Sequence, residues 1–401
     1  MATLVPGTAA TAKTVPDPLF GQHLRGSVAG TPSTLPRVGS VRLWDSGVTW
    51  RDLEPSNNAY RWNLLESALG NIEGAYGTGV EIMYTLGNTP EWAAAVRNSP
   101  YRLYGPGSNS HPANDDYYLD FLDDLITRFG DRIDAYQIWN EANLRDFYVG
   151  TPKQMAKLTV KAGKLIKQRD PSAKVVAAST TVRSKGPVGK FGKAYGPAMR
   201  KAKAWKYVDA VSVHLYPPAT KGPSERVKYI KKIKKYYKRY GAKKKQIWDT
   251  EMNYGDTRSY MKTKRQYTGT KAATYVARTF IDSMRYGVSR VHWYGWDTHV
   301  LGTDMVSRTD GSLTAGGKAF IEVQKWMSGK NFKKCKTKKK VTTCTMYGPE
   351  GKQSIRYSKK SKKYKLPKKT REIRYLDGTS APAKAGQKIR ITSQPILIIG
   401  A

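Results

Sequence analysis

Between residues 20 and 328 the chain alternates two kinds of apolar pattern. Short, nearly continuous apolar runs fall at 20–24, 41–44, 80–86, 133–139, 175–179, 208–215, 246–250 and 290–294. Runs of this length and continuity read as strands covered on both faces. Between them lie stretches whose apolar positions recur every three or four residues, at 62–76, 116–129, 152–169, 224–240, 272–286 and 315–327. That spacing predicts amphipathic helices. Thr151 followed by Pro152 has the chemistry of a helix start, a hydroxyl cap and then a residue with no N–H to leave unpaired. The first strand and the helix expected between residues 179 and 208 have the faintest patterns. Eight strands alternating with helices over ~300 residues predict an α/β fold of the (β/α)8 or TIM-barrel type, spanning 20–328.

The texture changes after Gly329. Short alternating runs at 340–347, 353–357, 371–376, 387–391 and 396–399 are separated by turn signals such as Asp377-Gly378 and Ala385-Gly386. These predict a C-terminal β-sandwich domain over 329–401. Residues 1–19 form an N-terminal segment able to add a strand to it.

Charge modifies this picture locally. The 401 residues carry 70 Lys+Arg against 31 Asp+Glu, a net charge of +39. A field of that sign attracts polyanions. In 227–240, however, Val227, Ile230, Ile233, Tyr237 and Tyr240 share one helical face and the lysines fall on the other, as on a solvated outer helix. The lysine-rich stretches 333–340 and 359–369 are placed in or near hairpin turns of the β-domain. They are candidates for contact with an anionic polymer, or else plain solubilising charge. No zinc finger, RNP motif or helix-turn-helix accompanies them, so nucleic acid is not an expected partner. No apolar run approaches the ~18 residues of a membrane-spanning helix.

The two cysteines, Cys335 and Cys344, flank a short segment between strand-like runs. No further Cys or His stands nearby to complete a metal site. A disulfide closing a hairpin is expected, and with it an oxidising, extracytoplasmic location. Residues 1–12 lack the basic start and apolar core of a secretory signal, though their small-residue end resembles the remnant of a trimmed one.

Functional groups of a parallel barrel sit at the C-terminal ends of its strands. Two of those ends carry glutamates, Glu141 after Gln137-Ile138-Trp139-Asn140 and Glu251 after Gln246-Ile247-Trp248-Asp249-Thr250. Two rim carboxylates facing each other across a pocket are the minimal equipment for hydrolysing a glycosidic bond. The plainer reading is a pair of strand-end carboxylates that cap helices or pair with arginine. Other strand ends supply Arg42 and Trp44, His214 and Tyr216, and His292, Trp293, Tyr294 and Trp296. Arg42 would keep one carboxylate charged, and Asn140 would hydrogen-bond a sugar hydroxyl more strongly as positive charge develops on the ring.

Trp139-Asn140-Glu141 resembles the Asn-Glu signature of clan A retaining glycoside hydrolases. There the Glu is the general acid/base and the Asn binds the sugar's 2-hydroxyl. Glu251, three strands later, resembles the clan's nucleophile. His214, Tyr216 and Trp293 stand where such enzymes place sugar-facing residues. Val41-Arg42-Leu43-Trp44, with Trp50, Leu53-Glu54-Pro55 and Tyr60-Arg61-Trp62, resembles the clan's second strand and following loop. The added β-domain is similar to that of family 39, the β-xylosidases and α-L-iduronidases. Ala142 departs from the proline commoner after the Asn-Glu pair.

The resemblance implies a retaining O-glycoside hydrolase acting on oligo- or polysaccharides; the cysteine pair adds secretion, the basic charge adds an anionic polymer as one candidate substrate, and a monomer is expected. Glu141 and Glu251 would be catalytic. Arg42, Trp44, Asn140, His214, Tyr216, Trp293 and Trp296 would bind substrate. No cofactor and no metal are implied. The alternative is a non-catalytic carbohydrate- or cell-wall-binding barrel.

Overall fold

The computed structural model describes residues 13–24, 37–182, 186–296 and 299–400. The stretch 1–12, weighed above as a signal remnant, lies outside the described residues. Contacts divide the chain into two units, Pro18–Gly317 and Met1–Asp17 with Lys318–Ala401. The division falls inside the helix expected at 315–327.

In chain order the elements are β1 (Lys13–Thr14), β2 (Phe20–Leu24), β3 (Ser40–Leu43), α1 (Trp50–Leu53), α2 (Trp62–Tyr76), β4 (Glu81–Thr85), α3 (Asp115–Phe129), β5 (Ala135–Gln137), α4 (Pro152–Arg169), β6 (Lys174–Val176), β7 (Thr180–Thr181), α5 (Gly186–Lys201), β8 (Ala210–His214), α6 (Pro223–Arg239), β9 (Gln246–Met252), α7 (Gly269–Tyr286), β10 (Arg290–Tyr294) and α8 (Ala315–Met327). Then follow β11 (Asn331–Lys338), β12 (Val341–Gly348), β13 (Gly351–Ser358), β14 (Lys362–Lys365), β15 (Glu372–Arg374), β16 (Ser380–Pro382), β17 (Lys388–Ile391) and β18 (Ile396–Ile399).

Strands β2, β3, β4, β5, β6, β8, β9 and β10 pair in parallel, and the pairing of Val176 with Ala210 closes the ring. The eight-stranded barrel is thus present. The helix starts follow local chemistry. Thr151 and Gln154 form a reciprocal capping box with Pro152 in the first turn of α4. Asn114 caps α3 by accepting from the Asp116 N–H.

Strand alternation explains the barrel interior. Met83, Ala135, Ala210 and Trp248 cluster with Val176 as an apolar floor. Two residues further along the same strands, on the same face, come Thr85, Gln137, Ser212 and Thr250. The Gln137 side chain ties this polar layer together. Its Oε1 accepts from Arg42 Nε and Thr85 Oγ1, each at 2.9 Å, and its Nε2 donates to Ser212 Oγ at 2.5 Å and Thr250 Oγ1 at 3.2 Å. Every further step toward the strand ends brings the functional groups. At Gly21 even a methyl group would meet Ser40 and His292 inside 3 Å, so only glycine lets β2 approach there.

The second unit holds an antiparallel sheet in the order β1-β11-β12-β13-β18-β15-β16, with β14 and β17 as a separate pair. Cys335 and Cys344 face each other across β11 and β12 and are disulfide-bonded. One expectation is corrected here. The lysines of 333–338 lie along β11, and Lys362, Lys363 and Lys365 along β14, whereas Lys359, Lys360, Lys368 and Lys369 do lie in the bends and turns on either side of β14. Only Lys339 and Lys340 form the turn between β11 and β12.

Candidate active site

Glu141, Glu251, Arg42, Asn140, His214 and Tyr216 come together at the C-terminal mouth of the barrel. Arg42 is fully buried and organises them. One Nη donates to Glu251 Oε1 at 2.7 Å and meets His23 Nδ1 at 2.9 Å, and the other donates to Asn140 Oδ1 at 2.7 Å. With Nε on Gln137, all three nitrogens of the guanidinium are engaged. Arginine only donates, so His23 Nδ1 is the acceptor and its proton sits on Nε2, which faces Asp45 Oδ1. Asp45 Oδ2 accepts from the Tyr294 hydroxyl at 2.8 Å. Because Arg42 engages the carbonyl end of Asn140, the amide NH2 is the end left to meet a ligand.

His214 stands between the two glutamates. Its Nδ1 lies 2.8 Å from Glu141 Oε1 and 3.3 Å from Glu251 Oε2, and its Nε2 lies 3.0 Å from Thr250 Oγ1. Burial, with Arg42 and His23 acting in the same direction, pushes its imidazole down to about 3, against the pull of Glu251. A neutral ring that gives its Nδ1 proton to the glutamate oxygens accepts from Thr250 on Nε2. Tyr216 donates its hydroxyl to Glu251 Oε2 at 3.1 Å. Burial above all, then the charge of Glu251, holds that phenol well above its usual value, so it stays a donor. An oxygen of Glu141, an oxygen of Glu251 and a nitrogen of His214 all lie within 4.8 Å of one another. Three such atoms are also a donor set for a metal ion, but Arg42 already puts a cation 2.7 Å from Glu251.

The backbone aims both glutamates. Glu141 has φ 39°, a left-handed conformation that costs a non-glycine residue roughly 1–3 kcal/mol. Its N–H is held by Ser179 Oγ at 2.8 Å, and the next N–H by Ser179 O at 2.9 Å. On β9 the register against β8 steps from Val213–Asp249 to His214–Glu251, so β9 contains one extra residue. This bulge lets Thr250 and Glu251 both face the interior.

Three expected sugar-binding tryptophans are not part of this hydrogen-bonded group. Trp293 is fully buried and packs near Tyr254, whose hydroxyl meets Thr279 of α7. Alternation along β10 explains the correction. His292 and Tyr294 share the inward face, so Trp293 points to the helix layer. Trp44 and Trp296 are 2% and 1% exposed, which leaves no open ring face for stacking. Trp44 instead packs edge-on against Tyr104 and Phe147. The sequence reading missed His23 and Asp45 as site members, and it gathered Tyr294 at a strand end without giving it a role. Their signal was available, since His23 and Tyr294 fall on the same inward alternation as Arg42. A pocket of about 520 Å³ adjoins the Glu141 loop and is lined by Ala142, Asn143, Arg145, Tyr148 and Phe191 among others, without either glutamate.

Comparison with known proteins adds to this geometry. Residues 108–320, just over half of the chain, match the glycosyl hydrolase catalytic core family. No curated protein matches the chain. Among solved structures, the chain is similar to a family 39 glycoside hydrolase from the gut symbiont Bacteroides cellulosilyticus WH2, at 17% identity over 96% of this chain and 81% of that one, with a TM-score of 0.68. It is also similar to a family 39 β-xylosidase from Caulobacter crescentus, at 14% identity over 97% of both chains, TM-score 0.65. A family 30 endoxylanase from Clostridium papyrosolvens C71 aligns at 14% identity over 98% of both chains, TM-score 0.64. At such identities the likeness is one of fold.

Proposed function

The chain belongs to the glycosyl hydrolase catalytic core family, and from that premise we propose that it cleaves O-glycosidic bonds with retention, Glu251 acting as nucleophile and Glu141 as general acid/base. The observation that carries this reading is the approach of the two carboxyl groups, with oxygens within 4.8 Å. Retaining enzymes hold their carboxyls ~5–5.5 Å apart, whereas inverting ones need ~6.5–9.5 Å to admit a water between them.

In the first step a Glu251 oxygen attacks the anomeric carbon while Glu141 gives its proton to the departing glycosidic oxygen. The carbon–oxygen bond to the leaving group breaks as the ester bond to Glu251 forms. In the second step Glu141, now a carboxylate, takes a proton from water. The water oxygen bonds to the anomeric carbon, and Glu251 leaves as a carboxylate. Arg42 and Tyr216 both donate to Glu251, which suits a group that must leave as an anion. Asn140, fixed by Arg42, offers its NH2 to a sugar hydroxyl. The disulfide supports action outside the cytoplasm.

The test is chemical rescue on an activated aryl glycoside. Glu251→Ala should lose turnover and, with azide, regain part of it while releasing a glycosyl azide of inverted anomeric configuration. Glu141→Ala with azide should release a product of retained configuration. Near wild-type turnover by Glu251→Ala would refute the assignment.

A further inference from the structure

Alternation sorts the β11–β13 sheet into two unlike faces. Thr342, Cys344, Met346 and Ile355 are buried on one. The other bears Lys334, Lys336 and Lys338 of β11, opposite Thr345, Thr343 and Val341 of β12. Arg356 of β13 continues the Lys336–Thr343 row. With Lys362, Lys363 and Tyr364 of β14 these side chains line a groove of about 560 Å³. Six lysines and one arginine line it, and no carboxylate does. None of those lysines makes an ion pair among the described residues. A surface that only keeps a protein soluble interleaves both signs and spares itself this repulsion.

Other features point to a polyhydroxylated anion. The Arg356 guanidinium lies 4.3 Å over the Tyr364 ring, a stacked cation whose planar fork matches a carboxylate. Thr343 and Thr345, half-buried between the cationic strands, add hydroxyl groups that donate and accept. At the hairpin tip, Lys339 and Lys340 have φ 48° and 70°, positions that Asn-Gly would fill without strain. Lysine occupies both positions against the backbone's preference.

We propose that this groove binds a uronic-acid polysaccharide, its carboxylates on the lysines and Arg356 and its hydroxyls on Thr343 and Thr345. The choice of a sugar polymer among polyanions rests on the glycoside hydrolase reading. The site lies wholly within the β-unit and uses no residue of the barrel. Tethered to the catalytic unit through the chain, it raises the local concentration of polymer without any new contact at the active site.

Binding of polygalacturonate to the full chain tests this, measured in the Glu251→Gln background so that nothing is consumed. Neutral mixed-linkage β-glucan and single-stranded DNA serve as comparisons. Polygalacturonate should bind at least tenfold more tightly than β-glucan, and affinity should fall as salt is raised. The Lys334→Gln/Lys336→Gln/Lys338→Gln variant should lose tenfold or more with an unfolding temperature no lower than its parent. Thr343→Val/Thr345→Val should weaken polygalacturonate binding and leave that of DNA unchanged. Unchanged polygalacturonate binding in the lysine variant overturns the proposal. So does DNA binding that matches polygalacturonate and ignores the threonines, the mark of a charge-only surface. Failure of aryl glycoside hydrolysis in the wild type would sink the catalytic reading, while the binding results would still decide this one.

Discussion

Asp249 and Glu251 are two residues apart on β9 yet point to opposite sides of the barrel wall. Asp249 accepts from Arg226 of α6 at 2.6 and 2.9 Å, while Glu251 accepts from Arg42 in the interior at 2.7 Å. Strict alternation would put them on one face. The extra residue in β9 separates them, and Asp249 fixes that bulge from behind. Its other oxygen accepts the Leu215 N–H at 3.0 Å, between His214 and Tyr216.

This anchor gives the first prediction. Asp249→Asn leaves the Arg226 charge buried and unpaired, which costs roughly 3–5 kcal/mol when a buried pair is broken. Unfolding in urea should show a loss of that order. Turnover should fall as well, although Asp249 touches no substrate. Wild-type stability in this variant would mean that the pair does not hold the bulge.

Arg42→Lys retains the charge but cannot replace the fork. One ammonium cannot reach Gln137, His23, Asn140 and Glu251 together. kcat/KM on an aryl glycoside should drop about a hundredfold, equivalent to ~2.7 kcal/mol of transition-state stabilisation. A loss confined to KM would show that Arg42 only helps to bind substrate.

The disulfide gives a prediction limited to the β-unit. Cys335 and Cys344 are nine positions apart, so the chain-entropy model assigns their bond on the order of 2–3 kcal/mol. Cys335→Ser with Cys344→Ser should lower the unfolding free energy by about that much, yet leave kcat on a small aryl glycoside unchanged. Equal stability with and without reductant would contradict it.

How far the sequence disclosed all this depends on the kind of signal each part left. Strand β10 and helices α2, α4 and α8 fall where the apolar pattern puts them, because burial on a covered sheet or helix face leaves a clear period, and β2 falls at its expected 20–24 despite a fainter one. Helix α5 was faint because four glycines and Pro197 interrupt it. Strand β11 was missed because its outward positions are lysines and its two apolar inward residues, Phe332 and Cys335, are thrown out of alternation by a register shift between Phe332 and Lys334. Glu141, Glu251, Arg42, Asn140, His214 and Tyr216 were legible as polar residues at the ends of apolar strands. The bulge in β9 was not, because it depends on register against a neighbouring strand, which no single segment encodes.

The last prediction follows from His214. Its imidazole is about 3 in the folded chain, against an ordinary 6.5 when unfolded. Between those values the unfolded chain binds the proton and the folded chain refuses it. Stability from this group is therefore complete above pH 6.5 and is lost as pH falls toward 3. By pH 5 the loss is roughly 2 kcal/mol, at 1.36 kcal/mol per unit. His292, held well below its usual value mainly by burial, adds to the loss in the same direction. His214→Asn removes only the His214 part. Urea unfolding at pH 7 and pH 5 should show the wild type losing about 2 kcal/mol more than the variant over that interval. Carboxylates elsewhere titrate alike in both proteins and cancel in the difference. Equal losses would mean that His214 is protonated in the folded state at pH 5. The neutral ring that donates to Glu141 would then have to be abandoned.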